Sequence, residues 1–209
     1  PLTGARGCVA RRLLYVPAMR VLALIVIAAT GCTGDSDGSV TGQTPGGSFD
    51  LADTISAAVT YSDGGDTSSE ARIILGSTAS LCGDASASPP IDRKLQRFIS
   101  IGLRDVNGAT KTTPSAPGSF TIYPDTGTEP AKSASLVTGG YDGTCQPLDD
   151  VAAQAQSGTV TLTAITGGVY AGSFDVTLNT GGHITGTFDP SPCPQLATAL
   201  TSTDQHSCL

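Results

Sequence analysis

From Phe49 to Phe188 the chain alternates apolar and polar residues with a period of two. Ile55, Ala57, Val59 and Tyr61 alternate with Thr54, Ser56, Ala58 and Thr60, the pattern of a half-buried strand. Ser62–Ser69 (SDGGDTSS) is a turn cluster, and Arg72–Ser80 reads as the next strand. Gly83–Pro90 reads as a loop, because Pro89-Pro90 excludes regular structure there. Leu95, Arg97, Ile99, Ile101 and Leu103 share one face of a third strand. Shorter strands follow at Ser119–Tyr123 and Ala131–Thr138, and Asp149–Gln156 reads as a short helix. Gly158–Thr166 turns Val160, Leu162 and Ala164 inward. In Val169–Leu178 a bulge at Gly172 is expected to split the apolar residues between two faces. Thr180-Gly181-Gly182 supplies a tight hairpin turn into His183–Phe188. About eight short strands with no long helix predict an all-β fold, an antiparallel β-sandwich or barrel-like domain over residues 49–209.

Composition supports this reading and removes several functional classes. Thr (28), Ser (21), Gly (26) and Pro (13) make up 88 of 209 residues, a composition foreign to helical bundles and coiled coils. A Gly-Ser/Thr-Phe triplet occurs at Gly47, Gly118, Gly172 and Gly186. Its irregular spacing marks strand starts that admit a close neighbour, not a solenoid repeat.

The apolar run with another meaning is Val21–Thr30, VLALIVIAAT, which follows Met19 and Arg20. A basic residue, a short apolar core and then small residues form the layout of a secretory signal. Ten residues give roughly 15 Å of helix, half the hydrocarbon thickness of a bilayer. Ala29-Thr30-Gly31-Cys32 resembles the lipobox of bacterial lipoproteins, with Ala29 where Leu is usual. The resemblance implies that Cys32 receives a diacylglycerol, becomes the first residue after cleavage and anchors the protein in a lipid bilayer. Thr33 in the second mature position, where Asp is absent, resembles the pattern that directs delivery to the outer membrane. Residues 1–31 are thus expected to be leader and signal peptide. Residues 32–48 are expected to be acylated cysteine and flexible tether, since Thr33–Ser48 offers almost nothing apolar to pack. Arg11-Arg12 raises a twin-arginine export signal as an alternative.

Beyond the leader, Cys82, Cys145, Cys193 and Cys208 make an even set, which in an exported protein reads as two disulfides. The pairing Cys82–Cys145 with Cys193–Cys208 is favoured, because the second bond would close a Pro-rich tail poor in apolar residues; Cys145–Cys193 stays open. Four of eleven basic residues and none of the 18 acids precede Cys32, so the remainder carries 7 − 18 = −11. Such a surface excludes nucleic acid as a partner and leaves an envelope protein or glycan.

Candidate chemistry is sparse. There is no GxSxG, SxxK or HExxH, no CxxC and no Gly-rich loop opening a helix, so neither a cofactor nor a metal is expected. Asp35-x-Asp37-Gly38 and the group Asp63, Asp66 and Glu70 have some calcium-loop character, but solvated turns explain both. His183 and His206 lack the partners of a catalytic triad. Tyr61, Tyr123, Tyr141 and Tyr170 could line a binding face, although core or rim packing accounts for them better in a chain with no Trp and only five Tyr. Ser157–Cys193 (SGTVTLTAI…GSFDVTLNTGGHITGTFDPSPC) resembles the C-terminal hairpins of uncharacterised lipoproteins of high-GC Gram-negative bacteria, a group that brings no functional residues with it. The expected protein is an envelope lipoprotein that binds or supports, not an enzyme. The alternative is a secreted hydrolase using carboxylates such as Asp149 and Asp175.

Overall fold

The computed structural model describes residues 37–63, 66–203 and 205–209. In chain order these form β1 (Asp37–Gly42), β2 (Asp53–Asp63), β3 (Asp66–Gly76), α1 (Leu81–Ser86), β4 (Ile91–Asp92), β5 (Arg97–Asn107), β6 (Thr110–Thr112), β7 (Gly118–Ile122) and β8 (Lys132–Gly140). A single 3₁₀ turn (Asp149–Val151) leads into β9 (Ala153–Thr166), β10 (Val169–Leu178), β11 (His183–Asp189), β12 (Ser191–Pro192), α2 (Gln195–Thr201) and β13 (Ser207–Cys208). The protein is all-β in its body, as expected.

Eleven strands join one curled sheet in the order β1-β11-β10-β9-β7-β8-β5-β6-β3-β2-β12, a half-barrel, while β13 and β4 pair separately. The sheet is mixed where an antiparallel one was expected: β12 runs parallel to β2 and β7 parallel to β8. The strand order explains the curl. β11 lies next to one end of the order and β12 is the other end, yet only Pro190 separates them in sequence. Two residue steps span at most about 7 Å, so the two ends of the sheet are held together at that point. Ser56 on β2 donates its hydroxyl to the Gly168 carbonyl at the β9–β10 tip (3.2 Å), a second link across the same gap.

The concave face holds the main core. Ile73 and Leu75 of β3, Ile99, Ile101 and Leu103 of β5, Leu136 of β8, Phe120 of β7, Val160 and Leu162 of β9 and Ile184 and Phe188 of β11 form one buried cluster. The alternation in β2, β5 and β10 is the period read from the chain, with one exception at the start of β5. Leu95 lies outside the strand in a left-handed turn (φ 61°) and is largely exposed.

β9 and β10 depart from the expected register. Tyr170, Gly172, Phe174, Val176 and Leu178 all face the core, so β10 is regular. The irregularities lie in β9: partners step from Ala164 to Leu162 and from Ser157 to Ala155, leaving Thr163 and Gln156 as extra residues. Each extra residue reverses the inward parity. Val160 and Leu162 are buried, but beyond Thr163 it is Ile165 that packs on the core, and Ala164 is exposed.

Two of the Gly-x-Phe triplets explain each other. Gly172 pairs with Phe188 and Phe174 with Gly186 across β10 and β11. A Cβ on Gly186 would lie 2.5 Å from the Phe174 ring, and one on Gly172 would lie 3.1 Å from that of Phe188. Each bare glycine therefore makes room for the aromatic ring of the opposite strand.

Three expectations are corrected. Residues 37–42 of the expected tether form β1 and pair with β11 along their whole length, Asp37↔Asp189 to Gly42↔Ile184. The expected loop 83–90 begins as α1, because the Asp53 carboxylate accepts the Leu81 N–H (2.8 Å) and supplies a cap from another strand. The expected helix 149–156 shrinks to its 3₁₀ turn, and β9 takes over from Ala153.

Leu178 is buried in the core and Thr177 is on the opposite face. Leu178→Ala should therefore cost about 2–5 kcal/mol and Thr177→Ala no more than about 0.5. Thermal or urea melts of the two variants measure the difference.

Candidate ligand-binding cleft

The convex side of β2 carries a second apolar stripe, Ile55, Ala57 and Val59, which needs its own cover. Leu81 of α1 and Cys193 and Leu196 at the start of α2 supply it, with Ile74, Cys82, Ala85 and Ala197 at the margin. Both helices are too short to be stable alone. Covalent bonds hold them: Cys82 of α1 pairs with Cys193 before α2 (Cα–Cα 5.6 Å), and Cys145 pairs with Cys208 of β13 (Cα–Cα 5.7 Å).

All four cysteines are thus in disulfides, but the favoured pairing is wrong. Cys193 and Cys208 lie on either side of α2, whose seven residues extend roughly 10 Å and carry the two apart. The β12–β2 pairing instead delivers Cys193 to α1, and Cys193 N–H donates to the Ser56 carbonyl (2.8 Å). The β13–β4 pairing delivers Cys208 to the loop after β8. There the Asp142 carboxylate accepts the N–H groups of Thr144 and Gln146 (2.7 and 2.9 Å) and fixes Cys145 in its left-handed conformation (φ 58°). These hydrogen bonds also hold the Asp142 carboxyl below the usual carboxylate range.

Between this stapled cover and the sheet lies a cleft of about 180 Å³. Its apolar walls include Ile55, Ile74, Phe98, Leu81, Leu196 and Leu200. One end is polar, with Asp84, Asp92, Gln96, Ser100, Tyr141 and His206. Asp84 is held on both oxygens by Arg93 (2.6 Å each). His206 Nδ1 lies 3.1 Å from Asp92 Oδ1, and the same carboxylate acts on the Tyr141 hydroxyl. Burial first, and then the Asp92 charge, pushes the Tyr141 phenol up to about 12. The Phe98 and Tyr141 rings lie 5.9 Å apart, tilted by 46°. A second recess, about 240 Å³, lies where the β9–β10 tip meets β2, and no ionisable side chain lines it.

The other candidate residues fall elsewhere. Cys32 lies outside the described residues. Asp149 precedes β9, whereas Asp175 sits opposite Thr159, six residues into that strand, with its carboxylate 2.7 Å from His183 Nε2. Neither carboxylate lines the cleft. Glu70 faces the convex side and pairs with Arg72, away from the hairpin tip beyond Asp63 and Asp66. Among the described residues no group of three potential ligands could hold a metal ion. The four tyrosines do not share a face: Tyr170 is in the core, Tyr61 accepts from Arg72, and Tyr123 donates to the Gly127 carbonyl.

The convergence of Asp92, Gln96, Tyr141 and His206 was not foreseen. Its only trace in the sequence is the closeness of Tyr141 to Cys145 and of His206 to Cys208. Comparison with known proteins adds no relative: no protein family, curated protein or solved structure matches the chain.

Two predictions follow the geometry of the cleft. Non-reducing peptide mapping should recover Cys82–Cys193 and Cys145–Cys208, and a peptide linking Cys193 to Cys208 would refute the interleaved arrangement. Folding favours the neutral Tyr141 phenol, since its pKa rises from 10.0 to about 12. The unfolded chain therefore loses this proton first as the pH rises. Stability from this group is complete below pH 10 and is lost as pH rises toward about 12. In denaturant melts across that window, Tyr141→Phe should fall less steeply with pH than the parent.

Proposed function

We propose that the protein is a lipid-anchored cell-envelope binding protein, attached through Cys32, whose curled domain offers the convex-side cleft to a small ligand. The supporting observation is the cleft itself. Two disulfides hold two short helices and the C-terminal tail over an apolar recess with a polar end, a preformed site of the kind that small molecules occupy. Disulfides persist in oxidising compartments outside the cytosol, in keeping with the export signal expected at residues 21–32. On this reading the two halves of the half-barrel act as the layers of a sandwich around one core. The cleft lies outside that core, where a ligand can enter without disturbing it.

Replacing Cys32 with Ala should abolish incorporation of labelled palmitate and move the protein from the membrane to the soluble fraction, with its melt unchanged. Labelling that persists in Cys32→Ala would sink the anchor assignment.

A further inference from the structure

The apolar part of the cleft can receive one compact group. A cavity of ~150 Å³ with aliphatic walls admits a benzene ring, and this one holds about 180 Å³. The polar end selects what that group must carry.

Its ionisable lining is two carboxylates, one imidazole and one phenol. Arg93 already satisfies Asp84 on both oxygens. Asp92 pairs with His206 and acts on the nearby Tyr141 hydroxyl. A carboxylate offers about four lone-pair positions, so acceptor capacity remains beside the phenol and the imidazole. Gln96 gives the second and independent observation. It is 8% exposed and lines the cleft, yet its side-chain amide has no hydrogen-bond partner among the described residues. Neither amide atom is sealed from solvent, so the amide is free to pair with a ligand that enters the cleft. Phe98 and Tyr141 both line the cleft, and an aromatic ring that turns its face to a cation attracts it.

We infer that the cleft binds small primary ammonium ions bearing an apolar body. The ammonium donates to Asp92 and to the Gln96 carbonyl oxygen beside the two rings, and the body fills the space between Ile55, Ile74 and Leu196. An anionic head would meet Asp92 and Asp84, and a neutral alcohol would forgo the charge. This inference rests on reading the cleft as a binding site, and the test separates the two.

Three probes of one shape, 2-phenylethylammonium, 2-phenylethanol and phenylacetate, are titrated at pH 7.5 into the full chain with both disulfides formed. Binding is followed by calorimetry and by NMR shifts of cleft residues. The ammonium should bind at least tenfold more tightly than either of the others. Asp92→Asn should lower its affinity to that of the alcohol while leaving the alcohol's unchanged, and Gln96→Ala should weaken the ammonium severalfold. Should Asp92→Asn fail to fold, Gln96→Ala and the three-probe ranking decide. If the alcohol or phenylacetate equals the ammonium, or if neither variant affects its binding, the ammonium assignment falls while the cleft remains a binding site. If no probe binds, both readings fall.

Discussion

The passage from β11 to β12 through the single residue Pro190 governs this architecture. An open sheet of eleven strands could twist freely, but here consecutive elements sit near opposite ends of the strand order. The backbone can reach across only if the sheet rolls until its ends meet. The rolling creates the concave interior in which β3, β5 and β8 face β9, β10 and β11. It also brings β12 to β2 running parallel to it, one of the parallel pairings of the mixed sheet. Proline suits both Pro190 and Pro192: β12 is a two-residue edge strand, where a missing N–H interrupts no interior ladder.

The same passage organises the convex side. β12 hands Cys193 directly to α1, and α2 follows on top of β2. In the chain-entropy picture each disulfide removes roughly 4–5 kcal/mol of unfolded-state freedom, since the closed loops exceed 60 residues. That contribution offsets the weakness of two helices of six and seven residues with no side-chain caps of their own. The cleft beneath them is thus a consequence of covalent closure: the cover stays in place without filling the space below it.

Features that depend on near neighbours were legible in the chain. The alternation of Ile55, Ala57 and Val59, the Gly181-Gly182 turn and the inward set of β10 follow from strand geometry within a few residues. Features that depend on distant partners were not. α1 is capped by Asp53, 28 residues away, and β1 gains its structure only from β11. The two extra residues of β9, Gln156 and Thr163, are a Gln and a Thr with no local mark of irregularity, so Ala164 was assigned the place that Ile165 occupies. The cysteine pairing failed for the same reason. Closeness in sequence favoured Cys193–Cys208, whereas strand pairing carries each cysteine to a more distant partner. The polar lining of the cleft is drawn from α1, β4, the turn before β5, β5 itself, the residue after β8 and the tail, so no window of the sequence contains it.

The capture of residues 37–42 by β11 also has a mechanical meaning. Under the proposed attachment at Cys32, β1 is the element of the fold nearest the anchor in sequence. β1 is an edge strand, paired on one side only, and its first pair, Asp37↔Asp189, is the one nearest the anchor. A pull across the strands from the membrane would load that pair first and open the six pairs of β1 one after another. Peeling β1 as far as Ser48 would free residues 37–48, roughly 40 Å when extended, and stop at Phe49, which belongs to the main core. If the proposed anchor holds, the edge strand would act as a catch on the leash: under tension it would release length before β2–β11 have to open.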